Sequence, residues 1–256
     1  MIDYTTSTPS KKLITIFLIS ISFVTCSAQV IEEKGYSKLV IPRNQVYLVT
    51  VDTLEVDTLL MQDNSTLKFT QDIVITIHNA FIGSKCEFNS SGSKGESKRG
   101  GDGISGKHLT IQILFKKLNS LRINTSGGDG GQGSAGRPGI DGSAGTDGTD
   151  GQNGGNGGNG GDAGDIRLYY IAEGFIPQFN GAKNRINTIN FIYTGGKPGK
   201  GGSGGSGGSR GEPITRTDVN SKKTSVGNVG RNGFNGRDGA YGHAGKNGEL
   251  IFRRIE

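Results

Sequence analysis

Residues 127–165 read GGDGGQGSAGRPGIDGSAGTDGTDGQNGGNGGNGGDAGD, and a glycine occupies every third position from Gly127 to Gly160. The same three-residue spacing recurs from Gly196 to Gly211 and from Gly227 to Gly248. Glycine supplies 46 of the 256 residues, well above its average share of about 7% in proteins. Because glycine brings no side chain to a core, only the segments between these glycine blocks can build one.

Short stretches of alternating apolar and polar residues lie on both sides of each glycine block. They are residues 86–90, 121–125 and 189–194 before a block, and residues 108–113, 165–169 and 249–252 after one. Alternation with a period of two is typical of half-buried strands. The unit of strand, glycine block and strand recurs, and such repeats bury a core by stacking on their neighbours. We therefore predict an all-β fold with a small β-solenoid or sandwich scaffold.

Three structures are compatible with the composition of the glycine blocks. A disordered linker is typical of segments such as GGSGGSGGS at 201–209, but a linker has no reason to keep a three-residue register. A collagen triple helix needs glycine at every third residue, yet Pro138 is the single proline in 127–165. Extended three-fold helices packed side by side, as in polyglycine II, exchange backbone hydrogen bonds across bare glycine edges. We favour inserted glycine-rich three-fold helices of this polyglycine II type, with Asn and Asp side chains directed to solvent.

The glycine blocks also resemble known protein families. Residues 127–164 and 227–248 resemble the Gly-X-Y repeat of bacterial collagen-like proteins. The double-glycine segments between strands are similar to the polyglycine II bundles of phage tail-fibre adhesins and to glycine-rich antifreeze bundles. This resemblance covers residues 92–248, and it implies a backbone geometry and a structural or adhesive role.

The two longer glycine blocks carry opposite charge within a chain of formal net charge +6. Residues 127–165 hold six Asp and one Arg, whereas residues 195–248 hold nine basic and three acidic residues. Opposite charges favour packing of these blocks on one another or on neighbouring copies of the chain. No basic stripe with interleaved aromatic residues is present, so we expect no nucleic-acid partner.

The N-terminal residues are typical of a secretory signal peptide. Two lysines precede an apolar run at 13–24 that is too short to cross a bilayer, and Ala28 permits cleavage after it. An alternative makes Cys26 the lipidated first residue of a lipoprotein on the outer surface, and we expect no other membrane contact. The predicted organisation is therefore a signal peptide at 1–28, an N-terminal β region at 29–91 and a glycine-rich repeat domain with interleaved strands at 92–256.

Residues that could form a catalytic, cofactor-binding or metal-binding site show no recognisable motif in the sequence. The segment GDGISGKH at 101–108 resembles a P-loop, but His108 stands where Ser or Thr should bind magnesium, and a predicted strand follows instead of a helix. His78, His108 and His243 have no Cys or His partner at metal-ligand spacing. We therefore predict no catalytic, cofactor-binding or metal-ligating residues and no cofactor.

These observations favour a secreted or cell-surface, non-enzymatic, structural or adhesive collagen-like protein that presents a glycine-rich bundle. Its partner would be a surface glycan, a protein or further copies of the chain, contacted through residues 197–223 or the ends of the blocks. One alternative is a secreted β-helix enzyme acting on glycans, whose catalytic Asp, Lys and Arg the sequence does not single out. Another is an ice-binding protein that aligns Ser143, Thr146 and Thr149 on one face of a three-fold helix.

Overall fold

A computed structural model describes residues 29–181, 186–217, 219–220, 222–226 and 228–256. The predicted signal peptide at 1–28 and the alternative lipid anchor at Cys26 lie outside the described residues, as does Gly227. The strands are β1 (Gln29–Ile31), β2 (Gly35–Ile41), β3 (Val46–Val49), β4 (Thr53–Met61), β5 (Thr66–Phe69), β6 (Ile73–Ile82), β7 (Cys86–Asn89), β8 (Leu109–Leu118), β9 (Ser120–Asn124), β10 (Ile166–Ala172), β11 (Gln178–Phe179), β12 (Thr188–Ile192), β13 (Ile214–Thr217), β14 (Lys223–Val226) and β15 (Leu250–Arg254).

Two parallel sheets contain every described strand except β13 and β14. The first has the order β1-β3-β5-β7-β9-β12-β11 and the second has the order β15-β10-β8-β6-β4-β2. Along most of the chain, successive strands alternate between the sheets, so that Leu39 of β2 pairs with Leu59 of β4. The remaining two strands, β13 and β14, form a separate antiparallel hairpin.

One apolar core lies between the two parallel sheets. Inward positions alternate with outward ones, as in β6, where Ile73, Ile75 and Ile77 are buried. Consecutive strand side chains point to opposite faces, so this period of two selects the core residues. Between neighbouring strands of the first sheet, Phe69 and Phe88 pack edge to face with ring centroids 6.0 Å apart.

Asparagine shapes the tight turns that lead from the second sheet back to the first. Asn44 and Asn64 have φ values of 60° and 58°, in the left-handed region that Asn tolerates better than most residues. The two turns stack, because the Asn64 side chain donates to Asn44 Oδ1 at 3.1 Å and Arg43 binds Asp63 at 2.7 Å. The backbone N–H of Ser84 and, next, the Arg43 guanidinium lower the pKa of Asp63 below its ordinary value.

The prediction of inserted glycine-rich three-fold helices is wrong. In the described ranges the glycine segments carry no helix, and all regular structure consists of strands. The scaffold is a pair of parallel sheets, and the glycine segments are long connections between them. Their backbone N–H groups donate to other stretches of the chain that lie alongside, and turns interrupt each segment.

Candidate interaction surface

The three glycine segments lie on one side of the scaffold. They connect β7 to β8, β9 to β10, and β12 to β15, each time from the first sheet to the second. Since β7, β9 and β12 are neighbours in one sheet and β8, β10 and β15 are neighbours in the other, the segments stack in the same order as the strands. The sheet register therefore sets which glycine segments meet.

Each glycine segment folds back on itself as a hairpin with an outgoing and a returning arm. We name these arms 1a and 1b (90–96 and 101–107), 2a and 2b (125–142 and 148–164), and 3a and 3b (195–211 and 228–248). Antiparallel backbone bonds join the arms within a hairpin, such as Ile104 N–H to Ser93 O at 2.9 Å and Gly155 N–H to Ser134 O at 2.7 Å. The second hairpin turns at residues 143–147, where Gly145 has a φ of 76°.

Successive hairpins are joined by backbone bonds at every third residue. Arm 2a donates to arm 3a from Gly130 through Gly142, with N···O distances of 2.7–2.9 Å. Arm 2b donates to arm 3b from Gly148 through Ala163 at 2.8–2.9 Å. The acidic and basic blocks are therefore in contact, as their charges predict. The three-residue period has a direct cause, because each third residue meets another arm of the same chain.

Glycine is needed at these contacts because the neighbouring backbones leave no room for a side chain. A Cβ atom on Gly205 would overlap the carbonyl oxygen of Arg137 in arm 2a. By contrast, a Cβ atom on Gly35 at the start of β2 would meet nothing within 4 Å. Between the glycines, the arms of the second and third hairpins carry mostly exposed residues.

A row of Asn and Asp side chains adds a second set of bonds between arms 2b and 3b. The Oδ1 atom of Asp150 accepts the N–H of Phe234 at 2.7 Å, and that of Asn156 accepts the N–H of Ala240 at 2.9 Å. Each acceptor precedes its donor by 84 residues, and the acceptors are Asp147, Asp150, Asn153, Asn156, Asn159, Asp162 and Asp165. As expected, these residues are exposed apart from the half-buried Asp165, and their side chains also accept backbone N–H groups of the neighbouring stretch.

Buried hydroxyl groups close the base of the first two hairpins. Ser90 Oγ donates to Lys107 O at 2.9 Å, and Thr125 Oγ1 donates to Gly164 O at 2.7 Å. Both side chains are almost completely buried. They hold the start of an outgoing arm against the end of its returning arm, directly beside the apolar core.

The third hairpin continues into β13 and β14, which we call the tip hairpin. Both of its four-residue strands are exposed throughout. The bond from Gly145 N–H to Glu212 O, 3.1 Å long, places its base beside the turn of the second hairpin. The tip hairpin therefore lies at the end of the arms that is remote from the sheets.

Arm 3b presents large side chains to solvent along its length. Phe234 is 80% exposed and Tyr241 is 67% exposed. Arg231 and Arg237 are exposed on the same arm. The tip hairpin and the nearest of these side chains, Arg231 and Phe234, form the candidate interaction surface. Strand β13 lies within the residues 197–223 singled out from the sequence, whereas most of β14 and all of arm 3b lie beyond them.

The histidines considered in the sequence lie in separate places. His78 is on the outer face of the second sheet, and His243 is exposed on arm 3b. His108 Nδ1 lies 3.3 Å from the Asp165 carboxylate at the base of the second hairpin. The P-loop-like segment 101–108 forms arm 1b and leads directly into strand β8.

The hydroxyl groups considered for ice binding are engaged at the turn of the second hairpin. Thr146 Oγ1 donates to Ser143 O at 3.0 Å, and Thr149 Oγ1 accepts the Ile140 N–H at 2.7 Å. Because the chain reverses direction at 143–147, the three hydroxyls do not share one face of a single arm.

One group of potential metal ligands was not recognisable as a motif in the sequence: Glu55, Asp57 and His78. One ligand atom from each lies within 4.8 Å of the others. The spacing of Glu55 and Asp57 on one strand was a usable signal, since it places both on one face. The position of His78 beside them depends on the register between β4 and β6, which the sequence does not display.

Cys86 is a buried free thiol in the first sheet. Burial raises its pKa, and its Sγ lies 3.3 Å from Gln62 O and 3.6 Å from Ser65 Oγ. A groove of about 480 Å³ runs beside it, lined in part by Lys85, Arg122 and Asn190. These contacts are typical of a packed thiol with little access to reagents.

Comparisons with family models, with curated proteins and with solved structures each find no match. The resemblance to bacterial collagen-like proteins and polyglycine II adhesins is wrong for this chain. The described residues form strands without helices, all parallel except β13 and β14, and backbone bonds join each glycine arm to other arms of the same chain. Among those residues there is also no helix long and apolar enough to cross a membrane.

Proposed function

We propose that this chain is a secreted or cell-surface, non-enzymatic, structural or adhesive protein whose glycine arms hold the tip hairpin away from the sheets. The position of β13 and β14 carries this proposal, because both strands are exposed and continue directly from bonded arms. A fully extended residue spans at most about 3.3–3.6 Å, so arm 3a at 195–211 reaches up to roughly 60 Å.

The bonded arms make the tip hairpin suitable for contact with a partner. An isolated two-stranded hairpin is at best marginally stable in water. Here both ends of the hairpin are anchored, by Gly145 N–H to Glu212 O on one side and by Gly230 N–H to Gly211 O on the other. Anchoring lowers the entropy lost when a partner binds, which raises affinity without a new contact.

The side chains of the tip hairpin fit contact with a surface glycan or a protein. Ile214 pairs with Val226 and forms an exposed apolar patch at its base. Basic side chains follow at Arg216, which pairs with Thr224, and at Lys223, which pairs with Thr217. The tip hairpin thus combines apolar, basic and hydroxyl groups within a few residues.

The test replaces residues 214–226 by the turn sequence of residues 143–147. The fluorescently labelled variant and the unaltered protein are applied to an array of surface polysaccharides and immobilised matrix proteins. We expect the unaltered protein to bind part of the array and the variant to lose that binding while it keeps its thermal midpoint. The substitution Ile176→Ser, at an exposed residue outside the glycine arms, is the matched control and should bind normally.

Equal binding by the tip variant and the unaltered protein would contradict the role of the tip hairpin, and no binding by either would contradict an adhesive role. Mass spectrometry of the secreted product tests the location separately. Secretion predicts an N terminus at Gln29, whereas the alternative predicts a lipid on Cys26. A chain that stays in the cell with residues 1–28 attached would exclude both.

A further inference from the structure

Three side chains with metal-binding groups converge on the outer face of the second sheet. Glu55 and Asp57 are two residues apart on β4, so both point to the same face. His78 lies on the neighbouring strand β6, opposite Asp57, because Val56 pairs with Ile77 and Thr58 pairs with Asn79. One carboxylate oxygen of each acid and one ring nitrogen of His78 lie within 4.8 Å of one another.

The backbone next to His78 is irregular. The pairing of β6 with β8 shifts register between Ile77 and Ala80 and again between Ala80 and Phe81, so the ladder is irregular at His78 and Asn79. Bulges redirect a side chain and are frequent beside functional sites. The Asn79 side chain donates to Asp57 O at 3.1 Å and so fixes β4 against β6 at this point. The ligand groups are therefore held on adjacent, mutually bonded strands.

The distance between His78 and Glu55 suits a small divalent ion with nitrogen and oxygen ligands. Zinc lies about 2.0–2.2 Å from such atoms, so two ligand atoms in a tetrahedral site are roughly 3.3–3.5 Å apart. His78 Nε2 and Glu55 Oε1 are already 3.3 Å apart. The side chains of His78 and Glu55 are about half exposed, at 50% and 53%, so they can move closer to the Asp57 carboxylate without displacing core residues.

We propose that Glu55, Asp57 and His78 bind a divalent transition-metal ion of the zinc class. Three protein ligands leave one of the four coordination positions of zinc open, and a water molecule or a donor atom of a binding partner would occupy it. The single imidazole favours zinc over calcium, because calcium takes six to eight oxygen ligands. This site is independent of the tip hairpin and of the proposed adhesive role.

Calorimetric titration with zinc chloride tests the proposal on the untagged protein after removal of metal with EDTA. We expect one ion per chain, and in a parallel titration cobalt(II) should give visible absorption bands typical of a four-coordinate site. The substitutions His78→Gln and Glu55→Gln should each weaken zinc binding by more than roughly tenfold. Both side chains are exposed, so the thermal midpoint without metal should remain unchanged.

The matched control is His108→Gln. His108 also lies beside a carboxylate, with Nδ1 3.3 Å from Asp165, but it is not part of the three-ligand group. We expect His108→Gln to keep the zinc affinity of the unaltered protein. The proposal is wrong if zinc does not bind, or if the His78→Gln variant binds zinc as tightly as the unaltered protein. It is also wrong if calcium binds as tightly as zinc and the His78→Gln variant binds calcium equally well.

Discussion

The substitution Gly205→Ala tests the close contact between arms 2a and 3a. The new Cβ atom would overlap the carbonyl oxygen of Arg137. Carbon–oxygen contacts of this kind need about 3.3–3.6 Å, so the two arms must separate by more than roughly 1 Å. The flanking bonds, Gly136 N–H to Ser203 O at 2.8 Å and Gly139 N–H to Ser206 O at 2.7 Å, would then be lost.

The free-energy cost of Gly205→Ala follows from the loss of these two hydrogen bonds. At about 0.5–1.5 kcal/mol each, their loss destabilises the arms by about 1–3 kcal/mol. The lower conformational entropy of alanine in the unfolded chain offsets at most about 1 kcal/mol of this. The net cost of about 0–3 kcal/mol corresponds to a factor of up to about 150 in the local opening equilibrium. The middle of this range, about 1.4 kcal/mol, predicts that amide hydrogen exchange in residues 195–211 accelerates by roughly tenfold.

The assay is hydrogen–deuterium exchange followed by mass spectrometry of peptides from the arms and the sheets. Peptides from β4 and β6 should exchange as in the unaltered protein, because their bonds do not involve the arms. Gly35→Ala is the control, since its Cβ atom meets nothing within 4 Å. If Gly205→Ala exchanged like Gly35→Ala, the close approach of the arms would be refuted.

Three further predictions concern other parts of the chain. Asn156→Ala removes the acceptor of a backbone N–H and should cost about 1 kcal/mol in unfolding free energy measured with urea, whereas Gln152→Ala on the same arm should cost almost nothing. The lowered pKa of Asp63 means that its contribution to stability is complete above the unfolded value of 3.8 and is lost as the pH falls through the folded value. Asp63→Asn should therefore flatten the decline of the thermal midpoint between pH 5 and pH 2, and an unchanged slope would contradict this. The Cys86 thiol, whose pKa burial raises, should resist a thiol-specific chromogenic reagent at pH 8 until urea unfolds the protein; rapid labelling of the folded protein would show that it is accessible.

The strands could be predicted from the sequence because their signal is local. The alternating stretches at 86–90, 121–125 and 189–194 contain most of β7, β9 and β12. A residue on a strand faces the core or solvent according to its parity alone, so neighbouring residues suffice to recognise the pattern. Register is different, since the pairing of Phe88 with Leu67 cannot be recognised from the residues around either one.

The state of the glycine segments was predicted less well. Their period correctly indicated lateral contact, but they contain no helix in the described ranges, and their exposed Asn and Asp side chains also bond to a neighbouring arm. The sequence around a short polar residue beside glycine is the same whether its side chain meets only water or also bonds to another arm. Its acceptor role becomes visible only when the donor 84 residues away is placed beside it.

The sequence by itself determined where strands form, where backbones can approach closely, and which blocks carry opposite charge. These properties follow from the alternation of side chains, from the missing Cβ of glycine and from formal charge, all of which act locally. Tertiary structure alone decided which arms meet and that His78 lies beside Glu55. The physical reason is that strand register, set by the packing of the whole core, fixes the relative positions of residues far apart in the chain.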